Sequence, residues 1–405
     1  MNSFKAPIYL DYHSTTPVDP RVLEAMLPYF SLRFGNAASR SHSYGWQADE
    51  AVEIARRYLA DLLQVNDRDL FFTSGATEGL NMLIKGTVDA SRKKGTTIIT
   101  FATEHHAVLD VCQWLGTKGY EIKILPVQPD GSLDLQKFKS TINKDTILVA
   151  AMWANNETGV IHDIEALASI CREVDVPLIC DATQAVGKIT VHPKEVGVDM
   201  MVFSAHKFYG PKGIGAVYIN PDLKVKPTPL LHGGGHEKGF RSGTLNVPAI
   251  VGMGEAAIIC IHEMNSDMTR IKSLRDDFEK NVLSEIEEVK INGDTEHRLP
   301  TVSNLCVRLT DSEAVMTKFR HKLAISSGSA CSSANPEPSH VLLAMGLSEE
   351  DAKASYRFSL GRMSTQDELK EASKIFMEAI LDHREHSPMW DMHKNGIDIS
   401  LHNRG

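Results

Sequence analysis

Val176-Pro-Leu-Ile-Cys-Asp181 and Asp199-Met-Met-Val-Phe-Ser-Ala-His-Lys207 are two short apolar runs, each closing on a residue able to do chemistry. Runs of this length, apolar almost throughout rather than alternating, read as strands buried on both faces of a parallel sheet. Such a sheet gathers ligands in the crevice beyond the carboxyl ends of its strands. Asp181, Ser204 and Lys207 are therefore expected side by side at that edge.

Outward from this pair the same rhythm continues. Strands are expected near Phe71, Ile98, Ile122, Ile147, Leu178, Val202 and Val217, and Val52, Ile54, Ala55, Leu59 and Leu62 recur at helical spacing. The fold class is α/β, with a mostly parallel sheet in a large domain. Glycine-rich text over 210–243 interrupts the pattern, and a long helix follows with Ile271, Leu274, Phe278, Val282 and Ile286 on one face. Beyond it come a strand over 304–309, a helix from Ser312, a loop over 326–339, a strand over 357–360 and a helix opened by the capping box Thr365-Gln-Asp-Glu368. These make a smaller α+β domain. The expected division is 17–262 for the large domain, with 1–16 and 263–405 forming the small one.

A lysine buried at strand ends can lose its proton, because desolvation disfavours the ammonium, and the amine can then hold an aldehyde cofactor as a Schiff base. Lys207 fits that role, and Asp181 on the neighbouring strand can pair with a pyridinium nitrogen and keep the ring an electron sink. The cofactor this suggests is pyridoxal 5'-phosphate. Gln184 can donate to the ring oxygen, and Ser204 and His206 offer donors to a phosphate. The segment Phe71-Phe-Thr-Ser-Gly-Ala-Thr-Glu-Gly-Leu80 reads as strand, glycine turn and helix start. Ala76 and Thr77 would then present free amides and a hydroxyl to an anion. Taken singly, each feature also has an ordinary reading as a solvated lysine, a turn-capping aspartate or an N-capped helix.

The chain has 405 residues, 42% of them hydrophobic, and a formal net charge of -9, which allows two domains with a sizeable core. An acidic balance without a dense Lys/Arg run argues against direct nucleic-acid binding. The N-terminal stretch has no apolar core and no arginine-rich amphipathic pattern, so a cytoplasmic protein is expected. The apolar tract from Val247 to Ile261 contains Glu255 and is expected to fall short of a membrane span. Six cysteines lack metal-ligand spacing, so no metal site is expected and the thiols read as reduced. Five lie in apolar segments. Cys331 lies in Ser326-Ser-Gly-Ser-Ala-Cys-Ser-Ser-Ala-Asn-Pro-Glu-Pro-Ser339, a composition suited to an exposed loop that presents a nucleophilic thiolate.

At this point the chain closely resembles the cysteine desulfurases of the iron-sulfur cluster assembly group, within the class V aminotransferase family. The resemblance covers nearly the whole chain. It rests on Tyr9-Leu-Asp-Tyr-His-Ser-Thr-Thr-Pro17, Ser74-Gly-Ala-Thr-Glu78, Thr103-Glu-His105, Asn155-Asn-Glu-Thr-Gly159, Asp181-Ala-Thr-Gln184, Ser204-Ala-His-Lys207, Arg241-Ser-Gly-Thr244, the Cys331 loop and Arg357-Phe-Ser-Leu-Gly361. It implies that L-cysteine is converted to L-alanine while Cys331 takes the sulfur as a persulfide for acceptor proteins. Lys207 would anchor the cofactor and shuttle protons, and His105 would stack on the cofactor ring and move protons near the substrate thiol. Asn156 would contact cofactor or substrate. Arg357, helped by Asn36, would hold the substrate carboxylate. Thr244 would reach the phosphate of a neighbouring subunit, which implies a homodimer. A selenocysteine lyase, a class V aminotransferase and a silent partner of sulfur transfer are competing readings, and the intact Cys331 loop disfavours the aminotransferase.

The chain also departs from the commonest pattern. Gly79-Leu80 follows Thr-Glu where Ser-Asp is usual, His106 replaces a usual lysine, and His13-Ser14 stands where Ala-Ala or Ser-Ala is frequent. The tail Ser387 to Asp398 resembles the segment with which scaffold-feeding members dock an iron-sulfur scaffold, but its ending, 399–405, does not.

Overall fold

In the computed structural model, which describes residues 6–91, 95–327 and 337–396, a seven-stranded sheet carries the larger core. After a short β1 (Ile8–Tyr9), the sheet takes in β2 (Leu70–Thr73), β3 (Thr97–Phe101), β4 (Glu121–Leu125), β5 (Thr146–Met152), β6 (Leu178–Asp181), β7 (Met200–Ser204) and β8 (Gly215–Ile219). Its order is β2-β8-β7-β6-β5-β3-β4. The five strands from β7 to β4 are parallel, and β8 runs antiparallel between β2 and β7.

Strand boundaries differ slightly from the sequence reading, for physical reasons. Pro177 has no amide proton to give a ladder, so β6 starts at Leu178 and Asp181 becomes its last residue. Asp199 stays outside β7 because its carboxylate accepts from the Leu178 amide at 2.9 Å.

Alternate side chains of these strands feed two separate cores. Phe72, Phe101, Val149, Cys180, Met201 and Phe203 face the helices Ser43–Leu63 and Val247–Glu285. Phe71, Ile98, Leu148, Ile179 and Val202 face Ala76–Ala90 and His106–Gly116. Helices thus cover both sides of the sheet, and six of the seven strands are buried at every position. Only β4, at the edge and carrying Glu121 and Lys123, is part-exposed.

A second sheet is fully antiparallel. It joins β9 (Val289–Ile291), β10 (Val302–Val307), β12 (Ser326–Ser327) and β13 (Ser355–Ser359) in the order β12-β13-β10-β9, while β1 pairs with β11 (Leu323–Ala324). Its core takes Ile271, Leu274, Phe278 and Val282 from the long helix and Leu369, Phe376 and Ile380 from the helix Gln366–Glu385. The expected capping box at Thr365 and Glu368 is formed.

The apolar tract at Val247 and the amphipathic face at Ile271 are one helix of 39 residues, and Ile286 is extended just past its end. By length and composition this helix could cross a bilayer. Its first half instead packs Ile250, Met253, Ala257 and Cys260 into the large core.

Candidate active site

Several of the expected cleft residues sit just beyond the carboxyl ends of strands in the large sheet. Asp181 ends β6, Ser204 ends β7, and Lys207 closes the single 3-10 turn Ala205–Lys207 beyond it. Asn156 follows β5 in a turn whose amides at Glu157 and Thr158 both donate to Asn155 Oδ1 at 2.9 Å. His105 caps the helix after β3, and Ala76 and Thr77 begin the helix after β2. Together they line one cleft of about 580 Å³, with Gln184, His206 and Arg357.

The helix start is built to receive an anion. Gly75 has φ +156°, a conformation open essentially to glycine alone, and it gives no side-chain cap to the amides of the first turn. Those amides have no intrahelical partner and point outward. Glu78, one residue past Thr77, is occupied elsewhere: Ser74 N donates to it at 2.8 Å and Arg241 Nε at 2.8 Å.

Lys207 Nζ donates to the main-chain oxygens of His13 at 2.7 Å and Ser14 at 2.8 Å. Asp181 is buried, and its Oδ1 accepts from the Thr183 amide at 2.9 Å. The Thr183 hydroxyl is buried without a hydrogen-bond partner. Gln184 Nε2 donates one proton to His13 O at 2.9 Å, which leaves the second for a ring oxygen, and Oε1 accepts from the buried Lys188 at 2.9 Å. Burial pushes the Lys188 amine down to about 7, with the nearby Lys207 acting in the same direction.

His105 Nδ1 accepts from the Ala107 amide at 3.1 Å, so the ring proton of the neutral imidazole sits on Nε2. Burial lowers its pKa, as does the charge of Lys207, against the opposing pull of Asp181. His206 is likewise held neutral, down to about 4, by burial and by Lys207. Its Nδ1 lies 3.1 Å from Thr15 Oγ1.

Arg357, on β13, is nearly buried and held from four sides. Nη2 donates to Asp11 Oδ1 (2.7 Å), Ser14 Oγ (2.8 Å) and Ser326 Oγ (3.1 Å), and Nη1 donates to Asn156 O (3.1 Å). Its Nε is buried without a hydrogen-bond partner, while the side chain as a whole lines the cleft.

Not every expected residue reaches the cleft. Asn36 is exposed, and its Oδ1 caps the Ala38 amide at 2.9 Å. Thr244 is exposed too, although Arg241 of the same motif meets Glu78. Cys331 lies outside the described residues, as does the end of the tail from 397. The other five cysteines are buried.

Several functional neighbours were missed in the sequence. Asp11, Ser14, Thr183 and Lys188 carry no signal of their own, because each acts through a partner brought by another segment. Glu104 could have been found from its place beside His105. It is fully buried, burial raises its pKa well above the ordinary carboxyl range, and its Oε1 accepts from the Met152 amide at 2.7 Å.

Buried strands, a helix start at the cleft and a lysine beyond a strand end match a known class. The family model for aminotransferase class V matches residues 8–371, and the chain belongs to that family. "Cysteine desulfurase IscS" of Pasteurella multocida (strain Pm70) is 49% identical over 398 residues, 98% of each chain. A solved structure named "NIFS-LIKE PROTEIN" superposes with a TM-score of 0.86 at 34% identity, covering 93% of this chain and 100% of that one. Another, "SspA in complex with cysteine", gives 0.78 at 33% identity, covering 88% and 99%.

Proposed function

We propose that this chain is a cysteine desulfurase that converts L-cysteine to L-alanine and leaves the sulfur on Cys331. The observation that carries the reading is the meeting, in one cleft, of Lys207, Asp181, an uncapped helix start and the guanidinium-bearing Arg357. Relatives at half identity over nearly the full length support it.

The cleft suits pyridoxal 5'-phosphate. The first-turn amides at Ala76 and Thr77, with Ser204 and His206, would hold its phosphate; Asp181 would face the ring nitrogen; the orphaned Thr183 hydroxyl and the Gln184 amide would line the ring. When bound, the cofactor supplies an electron sink that drains charge from the substrate carbons.

The chain's own groups do the rest. Arg357 and the Asn156 turn hold the substrate carboxylate and so fix Cα. Lys207 Nζ would hold the cofactor, and its amine, poised in the cleft, could move a proton at the substrate Cα. His105, neutral and with its proton on Nε2, would lie against the cofactor ring and could exchange that proton near the substrate thiol. Cys331 thiolate attacks the substrate sulfur: the S–S bond forms, the Cβ–S bond breaks with its electron pair staying on carbon, and protonation there gives alanine. The balance is two thiols in, one persulfide and one alanine out.

The same reading divides the chain into a large domain over 17–262 and a small one from 1–16 and 263–405, supported by the two cores that share the long helix. A homodimer is supported by the exposed apolar residues Leu23, Leu27, Phe30, Leu32, Phe34 and Trp46, all 48% or more accessible. Asn36 and Thr244 would then serve the dimer. Sulfur would pass to acceptor proteins such as an iron-sulfur scaffold, from a cytoplasmic enzyme with reduced thiols. Release of equal alanine and sulfide from L-cysteine plus reductant tests the activity; a protein that reacts with L-selenocysteine alone would be a lyase instead.

A further inference from the structure

His13 is 1% exposed and bonds both to the Asn156 turn and to the Lys207 amine. Its imidazole Nδ1 lies 3.1 Å from Asn156 O, a carbonyl that can only accept, so Nδ1 carries the proton. Nε2 then accepts from Thr301 Oγ1 at 2.8 Å. A neutral ring is also what burial enforces, with Lys188 and Arg357 adding to the effect.

The carbonyl that takes this proton is shared, since Arg357 Nη1 donates to Asn156 O at 3.1 Å. On the main chain, His13 N donates to Ser359 Oγ at 2.9 Å, and His13 O accepts from Lys207 Nζ at 2.7 Å and Gln184 Nε2 at 2.9 Å. One residue therefore spans the carboxylate anchor on one side and the lysine amine on the other. An alanine at this position, as in the commoner pattern, would keep the main-chain bonds and lose both ring bonds.

We propose that His13 is a positioning residue that sets where the substrate carboxylate is held relative to the Lys207 amine, through the acceptor its ring shares with Arg357. Resting on the desulfurase reading, it predicts a defect in binding rather than in the chemical step. Without the ring, Asn156 O loses one of its two side-chain donors, and the Nη1 end of the guanidinium is no longer fixed through that carbonyl, although Nη2 stays held by Asp11, Ser14 and Ser326.

The test compares three variants for steady-state kinetics with L-cysteine and for calorimetric binding of L-alanine. His13→Asn keeps a donor at the Nδ1 position, His13→Gln keeps a polar atom toward Thr301 only, and His13→Ala keeps neither. In His13→Ala, KM for cysteine should rise about five- to twentyfold with kcat within about threefold, the loss expected for a hydrogen bond to a charged site. His13→Asn should recover most of this, and His13→Gln should not. Equal KM in the Asn and Gln variants, or a fall in kcat at unchanged KM, would overturn the proposal. L-Alanine binding decides it separately from turnover: affinity about tenfold weaker in His13→Gln than in His13→Asn supports the role, and equal affinity sinks it. Should the unmutated protein bind L-alanine yet release no sulfide, the desulfurase reading fails while the alanine comparison still rules on His13.

Discussion

Ser339 Oγ donates to Oε2 of the buried Glu157 at 2.5 Å. This ties the residue that caps the helix His340–Ala344 to the turn that carries Asn156. Burial raises the Glu157 carboxyl to about 7, against the pull of Ser339 and Arg357. The folded state therefore binds the proton more tightly than the unfolded chain, and this contribution to stability is present at low pH and lost as pH climbs from about 4.5 to about 7. Glu157→Gln keeps an acceptor for Ser339 and removes the titration. Denaturant unfolding should show little difference between the two proteins at pH 4.5 and a growing advantage for the variant toward pH 8. An advantage independent of pH would rule out a proton held on Glu157.

Lys207→Ala should fold and lose the visible absorption of a lysine-bound cofactor. Cys331→Ser should keep that absorption, respond spectrally to L-cysteine and form no persulfide detectable by mass. Its sulfide release should drop by about 10³-fold or more, the scale of losing a nucleophile. A Cys331→Ser protein with ordinary turnover would remove the thiol from the mechanism.

Arg357→Lys retains the charge and cannot reproduce the fork that meets Asp11, Ser14, Ser326 and Asn156. We expect kcat/KM for cysteine to fall about a hundredfold, roughly 2.7 kcal/mol of transition-state stabilisation. The decline should come mainly through KM. A change confined to kcat would mean that the arginine serves the reaction and not the carboxylate.

Gly79 is one of the departures from the commoner pattern, and its reason is steric. A Cβ there would come within 2.4 Å of Val202 Cγ2 and 2.8 Å of Val217 Cγ1, so the helix Ala76–Ala90 lies too close to β7 and β8 for a side chain. Gly79→Ser, which restores the usual residue, should destabilise the fold by about 1–3 kcal/mol in urea unfolding. A neutral or stabilising result would mean that the helix can shift on the sheet at small cost.

Much of the large domain was legible because its strands are buried on both faces, so that Leu178 to Cys180 and Met200 to Phe203 announce themselves as unbroken apolar runs. The cleft residues followed from the ends of those runs. What stayed hidden was set by meetings between distant segments. Nothing local in His13 says that Asn156 and Thr301 will flank its ring, and nothing in Gln184 says that Lys188 will fix its amide. In the sequence the 39-residue helix shows as an apolar tract followed by an amphipathic face, because its first half is apolar all round and its second half is not, a change in environment along one continuous backbone. Asn36 and Thr244 were placed at the site by resemblance, and a single chain leaves both outside.

Five of the six thiols in this chain are sealed inside packed cores, and Cys112, Cys180 and Cys306 are among those that burial makes reluctant to ionise. Sulfane sulfur hops between thiolates, so an accessible one among these five would divert the cargo or trap it as a mixed disulfide. By hiding its other five thiols the fold gives the transferred atom a single address, and fidelity of delivery becomes a property of the hydrophobic core.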